Sequence, residues 1–221
     1  ENNGIHIIDL NKTQKALEEA AFAIKNIVRS GRKIMLVATK KQAKDVIVEE
    51  ATRLNMPYVT ERWLGGMLTN FATIRKSLKK LAQIEKLMKE DAFNNIAKRE
   101  RLMIAREKAK LEKLLGGITE LNRLPAALFV IDVKREHIAV AEAQKLNIPV
   151  FAMVDTNSDP SDIDFPIPAN DDAFKSISIV TKFIGKSIEE ALMERKKDKE
   201  ETNLKKEEDE KRAVDEAVQE A

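Results

Sequence analysis

The acidic run DTNSDPSDID comes nearest to a metal site among the motifs of this 221-residue chain. Asp155, Asn157 and Asp159 stand where a calcium-binding loop places its first, third and fifth ligands. Pro160 replaces the glycine that the sharp turn of such a loop needs, and Pro166 replaces its bidentate glutamate. This mismatch favours Asx turns ahead of a strand, so we predict no metal site.

Motifs for nucleotide binding and catalysis fail as well. Gly185-Lys186-Ser187 is similar to the end of a P-loop, but Val180 stands where the first glycine of that loop belongs. No Gly-x-Gly-x-x-Gly follows an apolar run, and no nucleophile elbow is present. His6 and His137 each stand in an apolar neighbourhood with no second ligand residue at metal-binding spacing. The chain has no cysteine, which excludes thiol nucleophiles and fits a reducing compartment. We therefore predict no enzyme, no cofactor and no small-molecule substrate.

Basic residues are the remaining candidates for a binding function. The net charge is only +2, yet residues 71–115 contain 13 Lys and Arg against 6 Asp and Glu, a local excess of +7. From residue 194 onward, 11 acidic residues face 8 basic ones. A one-signed excess favours polyanion binding, because Lys and Arg neutralise phosphates and release counterions. A solvated helix face is the alternative interpretation of the same charges.

Two similar units indicate the elements that position these residues. KIMLVA (33–38) and ALFVI (127–131) are short apolar runs, each followed by helical spacing and then by LNMPYV or LNIPVF. In both units Asn suits a left-handed helix end, and the nearby Pro prevents the helix from continuing. Each unit therefore predicts strand, helix and strand in a parallel sheet with helices on both faces.

The chain ends complete this predicted α/β fold, a doubly wound, mainly parallel sheet of about five strands (flavodoxin-like). IHIID (5–9) predicts a further strand, and Asn11 with Gln14 can cap the helix after it. DFPIP predicts an edge strand, since proline cannot donate to a ladder. Asn170 and Asp171 can cap the last helix.

A gap in the α/β pattern predicts an inserted antiparallel coiled-coil hairpin over residues 65–116, broken near EDAFNN. The α/β domain is then discontinuous, over residues 1–64 and 117–193. Residues 194–221 are expected to form a charged tail, either a frayed helix or disordered. Paired glycines bracket the hairpin and give the backbone freedom of a hinge, namely Gly65, Gly66, Gly116 and Gly117.

The strand ends predict where a ligand meets the domain, because ligands of open α/β sheets gather at the carboxyl ends of the strands. Thr39, Lys40 and Lys41 stand at one such end, and Arg62 and Trp63 at another. Trp63 would either stack on a base or cap the core. The hairpin adds further candidates for RNA binding, which are Arg75, Lys76, Lys79, Lys80, Arg99, Arg101 and Arg106.

Several long motifs resemble one family in order. They are GIHIIDLNKT, MLVATKKQA, MPYVTERWLGGMLTNFATIRKS, LEKLLGGI and LPAALFVIDVKREHIAVAEAQKLNIPVFAMVDTNSDPSDIDFPIPANDDA. Together they resemble the bacterial small-subunit ribosomal protein S2 (S-two) family from about Gly4 to Phe183. The sequence departs from the family pattern at two points. Ala38 stands where the family usually has glycine, and the aromatic- and His-containing segment that usually precedes GIHIIDL is not in this sequence.

The resemblance implies a structural ribonucleoprotein component in the cytoplasm, bound to small-subunit ribosomal RNA. It implies that the α/β domain and the hairpin both contact RNA, and that the chain helps to anchor the ribosomal protein S1 (S-one) beside other small-subunit proteins. The family's rim motifs correspond to 39–41, to 62–66 with Asn70, and to 155–160. No membrane partner is expected, since no run approaches the roughly 20 apolar residues of a span.

Two other functions stay open from the residues alone. One is a nucleotide- or small-ligand-binding α/β protein with a helical arm, against which the missing phosphate loop argues. The other is an adaptor outside the ribosome that reuses the same fold.

Overall fold

The computed structural model describes residues 6–90, 93 and 97–219. It contains a five-stranded, all-parallel sheet with the strands, in chain order, β1 (Ile34–Val37), β2 (Tyr58–Val59), β3 (Ala127–Ile131), β4 (Val150–Val154) and β5 (Phe165–Pro168). The spatial order is β2-β1-β3-β4-β5. This is the order of a doubly wound, flavodoxin-like sheet, so the predicted fold class is confirmed.

The helices described are α1 (Leu10–Arg29), α2 (Lys41–Leu54), α3 (Phe71–Lys89), α4 (Lys98–Leu115), α5 (His137–Lys145) and α6 (Phe174–Gln219). The stretch expected to be a charged tail continues α6 as helix to Gln219. Among these helices, none combines the length and the apolar content that a bilayer span requires.

The sheet separates two hydrophobic cores. Alternate residues of a strand point to opposite faces, so Phe129 and Phe151 enter the core beneath α1, α2 and α6. Leu128 and Val130 enter the second core, which α5 and the base of the inserted helices cover. All residues of β3 and β4 are buried, as expected for central parallel strands covered on both faces.

The helix ends follow the sequence closely. Asn55 and Asn147 have positive φ values of 52° and 53°, which confirms the left-handed ends predicted for the two units. The Asn170 side chain accepts hydrogen bonds from the backbone of Asp172 and Ala173 just before α6, as predicted. Asp171, its predicted partner in capping, is instead buried in an ion pair with Lys40.

The predicted first strand is wrong within the described residues. Residues 6–9 form no strand, while Ile5 lies outside the description. Ile7 is 70% exposed, so the alternation in IHIID does not mark a buried strand face. The predicted cap is also wrong, because Asp9 caps α1 by accepting a hydrogen bond from the Asn11 backbone nitrogen at 3.0 Å. An Asp directly before the helix satisfies a free N–H that Asn11, inside the first turn, cannot.

The inserted helices α3 and α4, called the arm below, lie on either side of the predicted break at EDAFNN and contact each other. Lys80 of α3 forms an ion pair with Glu107 of α4. Ile74 and Leu115 join the second core, whereas Leu81 and Ile84 are buried outside both sheet cores. Coiled-coil packing of the two helices stays a prediction.

Candidate nucleic-acid interface

Lys40 lies between β1 and β3, where the strand order reverses and ligands of this fold class bind. Its Nζ is 2.6 Å from Asp171 Oδ1, 2.6 Å from Asp172 Oδ1 and 3.3 Å from Asp132 Oδ2. Burial lowers the pKa of Lys40, but the hydrogen bonds to Asp171 and Asp172 outweigh it and raise the pKa above its usual value. Lys40 is therefore a charged internal bridge from β1 to β3 and to the segment before α6.

Thr39 is held in the same region, the rim formed by the carboxyl ends of β1 and β3. Its backbone nitrogen donates to Glu136 Oε1 at 3.0 Å, and its hydroxyl also donates to that oxygen. Arg135 Nε donates to the Thr39 hydroxyl oxygen at 2.7 Å. Burial raises the pKa of Glu136, although the hydrogen bonds from Thr39 oppose this. Thr39 and Lys40 thus stabilise the rim from within and offer little surface to RNA.

Among the described residues, one group of carboxylates is close enough to hold a cation. Oxygens of Asp155, Asp171 and Asp172 lie within 4.8 Å of one another. The Lys40 ammonium already contacts Asp171 and Asp172 at 2.6 Å each. Lys40 thereby supplies positive charge to this group from within the chain.

Trp63 lies in the junction between β2 and the arm and is only 6% exposed. Its Nε1 donates to Glu142 Oε1 at 3.0 Å, and its ring packs in the second core with Met67 and Leu68. Of the two roles left open by the sequence, this geometry favours the core role, since the buried ring presents no free face to a base. Trp63 therefore fixes the base of the arm.

The glycines at the two ends of the arm differ in their surroundings. Gly66 has a φ of 86°, a conformation that favours glycine. Gly117 lies against β2, and a Cβ at this position would be 2.2 Å from the Tyr58 carbonyl oxygen. After Gly117 the chain crosses the second core through Ile118 and reaches β3 from its amino end. The arm therefore leaves near the carboxyl end of β2 and rejoins the sheet on its face.

Besides the hydrogen bond between Trp63 and Glu142, Glu61 makes polar contacts at the base of the arm. Its Oε1 is 3.1 Å from Lys44 Nζ of α2, and its Oε2 is 3.4 Å from Lys113 Nζ of α4. The hydrogen bond from Lys44 lowers the pKa of Glu61, and Lys113 acts in the same direction. Glu61 stays ionised at neutral pH and links the arm to the α/β domain.

The outer side of α3 carries four basic residues. Arg75, Lys76, Lys79 and Lys86 recur three, four and seven residues apart, which places them on one side of the helix. The buried Ile74 lies on the opposite side. All four basic side chains are exposed, and none forms an ion pair with a described residue. Lys80, another predicted residue, instead faces α4 and pairs with Glu107.

The outer side of α4 combines basic and apolar residues. Arg99, Arg106 and Lys110 follow helical spacing, are exposed, and have no ion pair with a described residue. Leu102 and Met103 are interleaved with them and are 51% and 63% exposed. Arg101 is only two residues from Arg99, so it lies on the other side of α4 and is half-buried.

The profile of the family described as ribosomal protein S2 matches residues 1–191. The chain belongs to the ribosomal protein S2 family. It is 67% identical to the small ribosomal subunit protein uS2 of Cytophaga hutchinsonii, over 98% of this chain and 85% of that protein. The uS2 proteins of Flavobacterium johnsoniae and Porphyromonas gingivalis are 60% and 59% identical, over 90% of this chain and 79% and 71% of theirs.

Membership in the S2 family makes this chain a structural constituent of the small ribosomal subunit and not an enzyme. The resemblance read from the sequence motifs is thereby confirmed, as is a place in the cytoplasmic ribosome.

In this S2-family chain the predicted RNA-binding residues divide into two groups. Lys41, Arg62 and Asn70 are exposed near the base of the arm, and the predicted basic residues of the arm are exposed as well, except for the half-buried Arg101. Thr39, Lys40 and Trp63 are instead internal. A position after a predicted strand could not tell exposed polar groups from buried ones.

Sequence reasoning missed the acidic residues that organise this region, Glu61, Glu136 and Glu142. Glu142 lies more than 70 residues from every group that it binds, and Glu136 lies 97 residues from Thr39. The one available signal was a glutamate on the apolar face of a short helix, since Glu142 lies three residues after Ala139 and four before Leu146. A buried acid on such a face requires polar partners from elsewhere in the chain.

Proposed function

We propose that this protein binds small-subunit ribosomal RNA mainly through the basic outer side of α3, extended by Lys41 and Arg62 at the base of the arm. The observation that carries the proposal is a one-signed set of exposed side chains without ion pairs to described residues. Arg75 and Lys86 are 11 residues apart, so the basic side extends about 17 Å along the helix axis. Such a row can contact successive phosphates of one RNA strand.

The lack of internal ion pairs favours RNA binding over a merely solvated helix face. Unpaired Lys and Arg side chains can contact phosphates without first breaking an ion pair within the protein. Each phosphate neutralised releases counterions, and the logarithm of the binding constant then falls with the logarithm of salt by about 0.7–0.9 per contact. The same charges would attract RNA over a distance at low ionic strength.

The test is a salt titration of binding to small-subunit ribosomal RNA. The variant Arg75→Gln, Lys76→Gln and Lys79→Gln should lower the salt slope by about 2–3, from three lost contacts. A matched control changes three exposed lysines outside the arm to Gln, namely Lys145, Lys175 and Lys182. Equal losses in the two triple variants would contradict a role for α3.

We also propose that protein neighbours in the subunit, including S1, bind the α/β domain. Support comes from an apolar cavity of about 620 Å³ between the start of α1 and α6, lined among others by Leu10 and Ile179. These side chains are 76% and 68% exposed. Leu10→Ser with Ile179→Ser should weaken S1 binding while leaving RNA binding unchanged. Co-sedimentation with S1-depleted subunits, followed by addition of S1, measures the two separately.

A further inference from the structure

Glu142 of α5 is a buried carboxylate with five donors and no cationic partner among the described residues. It is 8% exposed. Its Oε1 accepts from Trp63 Nε1 at 3.0 Å and from the Gly66 nitrogen at 2.7 Å. Its Oε2 accepts from the Leu68 nitrogen at 2.9 Å, the Thr69 nitrogen at 3.0 Å and the Thr69 hydroxyl at 3.1 Å.

All five donors belong to one turn, residues 63–69, which leads directly into α3. Inside this turn the Met67 nitrogen donates to the Leu64 carbonyl, and the Asn70 nitrogen donates to the Gly66 carbonyl. Three further N–H groups of the turn donate to Glu142. The side chain of Asn70, the residue before α3, makes no capping hydrogen bond. Glu142 therefore gives α3 a fixed start that its own cap does not provide.

A carboxylate is specifically suited to this place. Each oxygen faces at least two donors, and a carboxylate is an acceptor at both oxygens. A glutamine would turn one NH₂ group toward N–H donors in either orientation. Burial raises the pKa of Glu142, but the hydrogen bonds from Thr69, Trp63, Leu68 and Gly66 outweigh it and lower the pKa below its usual value. Glu142 is thus ionised at neutral pH.

We propose that Glu142 is a positioning residue, which fixes the direction in which the arm leaves the α/β domain and so holds the basic side of α3 ready for RNA. Only the consequence for RNA rests on the proposed function. The competing account is that apolar packing of Trp63, Met67 and Leu68 alone sets this direction.

The lack of cysteine allows a direct measurement of the arm's direction in the free protein. Gln83→Cys on α3 and Gln42→Cys on α2, both exposed, can carry two spin labels for pulsed EPR distance measurements. Glu142→Gln should broaden the distance distribution roughly twofold or more, because the turn loses fixed partners. Glu112→Gln removes the same charge from an exposed position on α4 and should leave the width unchanged. An unchanged width in Glu142→Gln would overturn the proposal in favour of apolar packing.

Hydrogen exchange shows whether the change is local. In Glu142→Gln the amides of Leu68 and Thr69 should exchange faster, while those of Leu128 and Val130 in β3 keep their protection. If this variant folds poorly, Thr69→Val removes one of the five donors and should give a smaller broadening of the same kind. Unchanged exchange at Leu68 in Thr69→Val, together with an unchanged distance width, would count against Glu142.

RNA binding separates this inference from the proposed function. If one arm orientation in ten remains competent, the apparent dissociation constant for small-subunit RNA rises about tenfold. A broadened arm in Glu142→Gln with unchanged RNA affinity would support the positioning role and contradict the role of the arm in RNA binding.

Discussion

Replacing Lys40 by methionine should strongly destabilise the protein. Methionine keeps the apolar stem but leaves Asp171, which is fully buried, without its cation. Breaking a buried ion pair in this way costs about 3–5 kcal/mol. Urea unfolding at neutral pH can be followed by fluorescence of Trp63, the single tryptophan, which is buried. With a slope of about 2–3 kcal/mol per M, the midpoint should fall by about 1–2.5 M.

The pH dependence of this loss tests its cause. Burial raises the pKa of Asp171, and Lys40 is the group that opposes this, so Lys40→Met raises that pKa further. An acid whose folded pKa exceeds its unfolded value, about 3.9, destabilises the protein above the folded pKa and ceases to do so as the pH falls toward the unfolded value. The stability deficit of Lys40→Met should therefore shrink between pH 7 and about pH 4.

A neighbouring residue supplies the control for this prediction. Lys41 is exposed, adjacent in sequence, and without an ion pair to a described residue, so Lys41→Met should cost less than about 0.5 kcal/mol. Equal losses in the two variants, or a deficit in Lys40→Met that is the same at pH 7 and pH 4, would refute an uncompensated buried carboxylate as the cause.

Three further changes test other contacts. Gly117→Ala should lower the free energy of unfolding in urea by about 1–3 kcal/mol, because the added Cβ would lie 2.2 Å from the Tyr58 carbonyl oxygen. Gly116→Ala is the control, since a Cβ there would have no contact closer than 3.9 Å. Glu142→Gln should cost about 2–4 kcal/mol at pH 7 through two unsatisfied donors. Because the folded pKa of Glu142 is lowered, this cost should shrink as the pH falls below the unfolded glutamate pKa of about 4.3 and through the folded pKa; a deficit that is the same at pH 7 and pH 3 would contradict this. Lys80→Ala should cost under about 1 kcal/mol by thermal unfolding, since its ion pair is exposed, and a larger loss would mean that the pair holds the arm together.

The sheet could be predicted because its signals are local. Two apolar runs, each followed by a helix with Asn at its left-handed end, define the parallel units of the sheet. The same local logic failed at residues 6–9. Alternation there suggested a strand, but Ile7 is exposed and Asp9 begins α1. Alternating residues predict a strand only where a neighbouring strand can pair with them.

The candidate site was harder to predict because its polar residues act over long distances. Lys40 looked like a surface cation beside Lys41, and only the fold brings Asp132 and Asp171 to it. Glu142 looked like an ordinary helix residue until the turn before α3 closed around it. Charge alone gave the arm correctly as basic, but it did not separate Lys80, which pairs with Glu107, from Lys79 beside it.

These internal contacts explain how a fold associated with ligand binding can serve as a scaffold. The crevice between β1 and β3 is where a doubly wound domain places a cofactor. Here Lys40 with its three aspartates, Asp132, Asp171 and Asp172, lies at that crevice, together with the Thr39–Glu136 pair. The polar groups at the crevice are therefore occupied by contacts within the chain. The connection from β2 to β3, which in a simple unit is one helix, has become the arm, with only its base in the second core. We therefore expect the surface that binds RNA to lie on the arm and not in the crevice, with Glu61 and Glu142 holding the base of the arm against the domain.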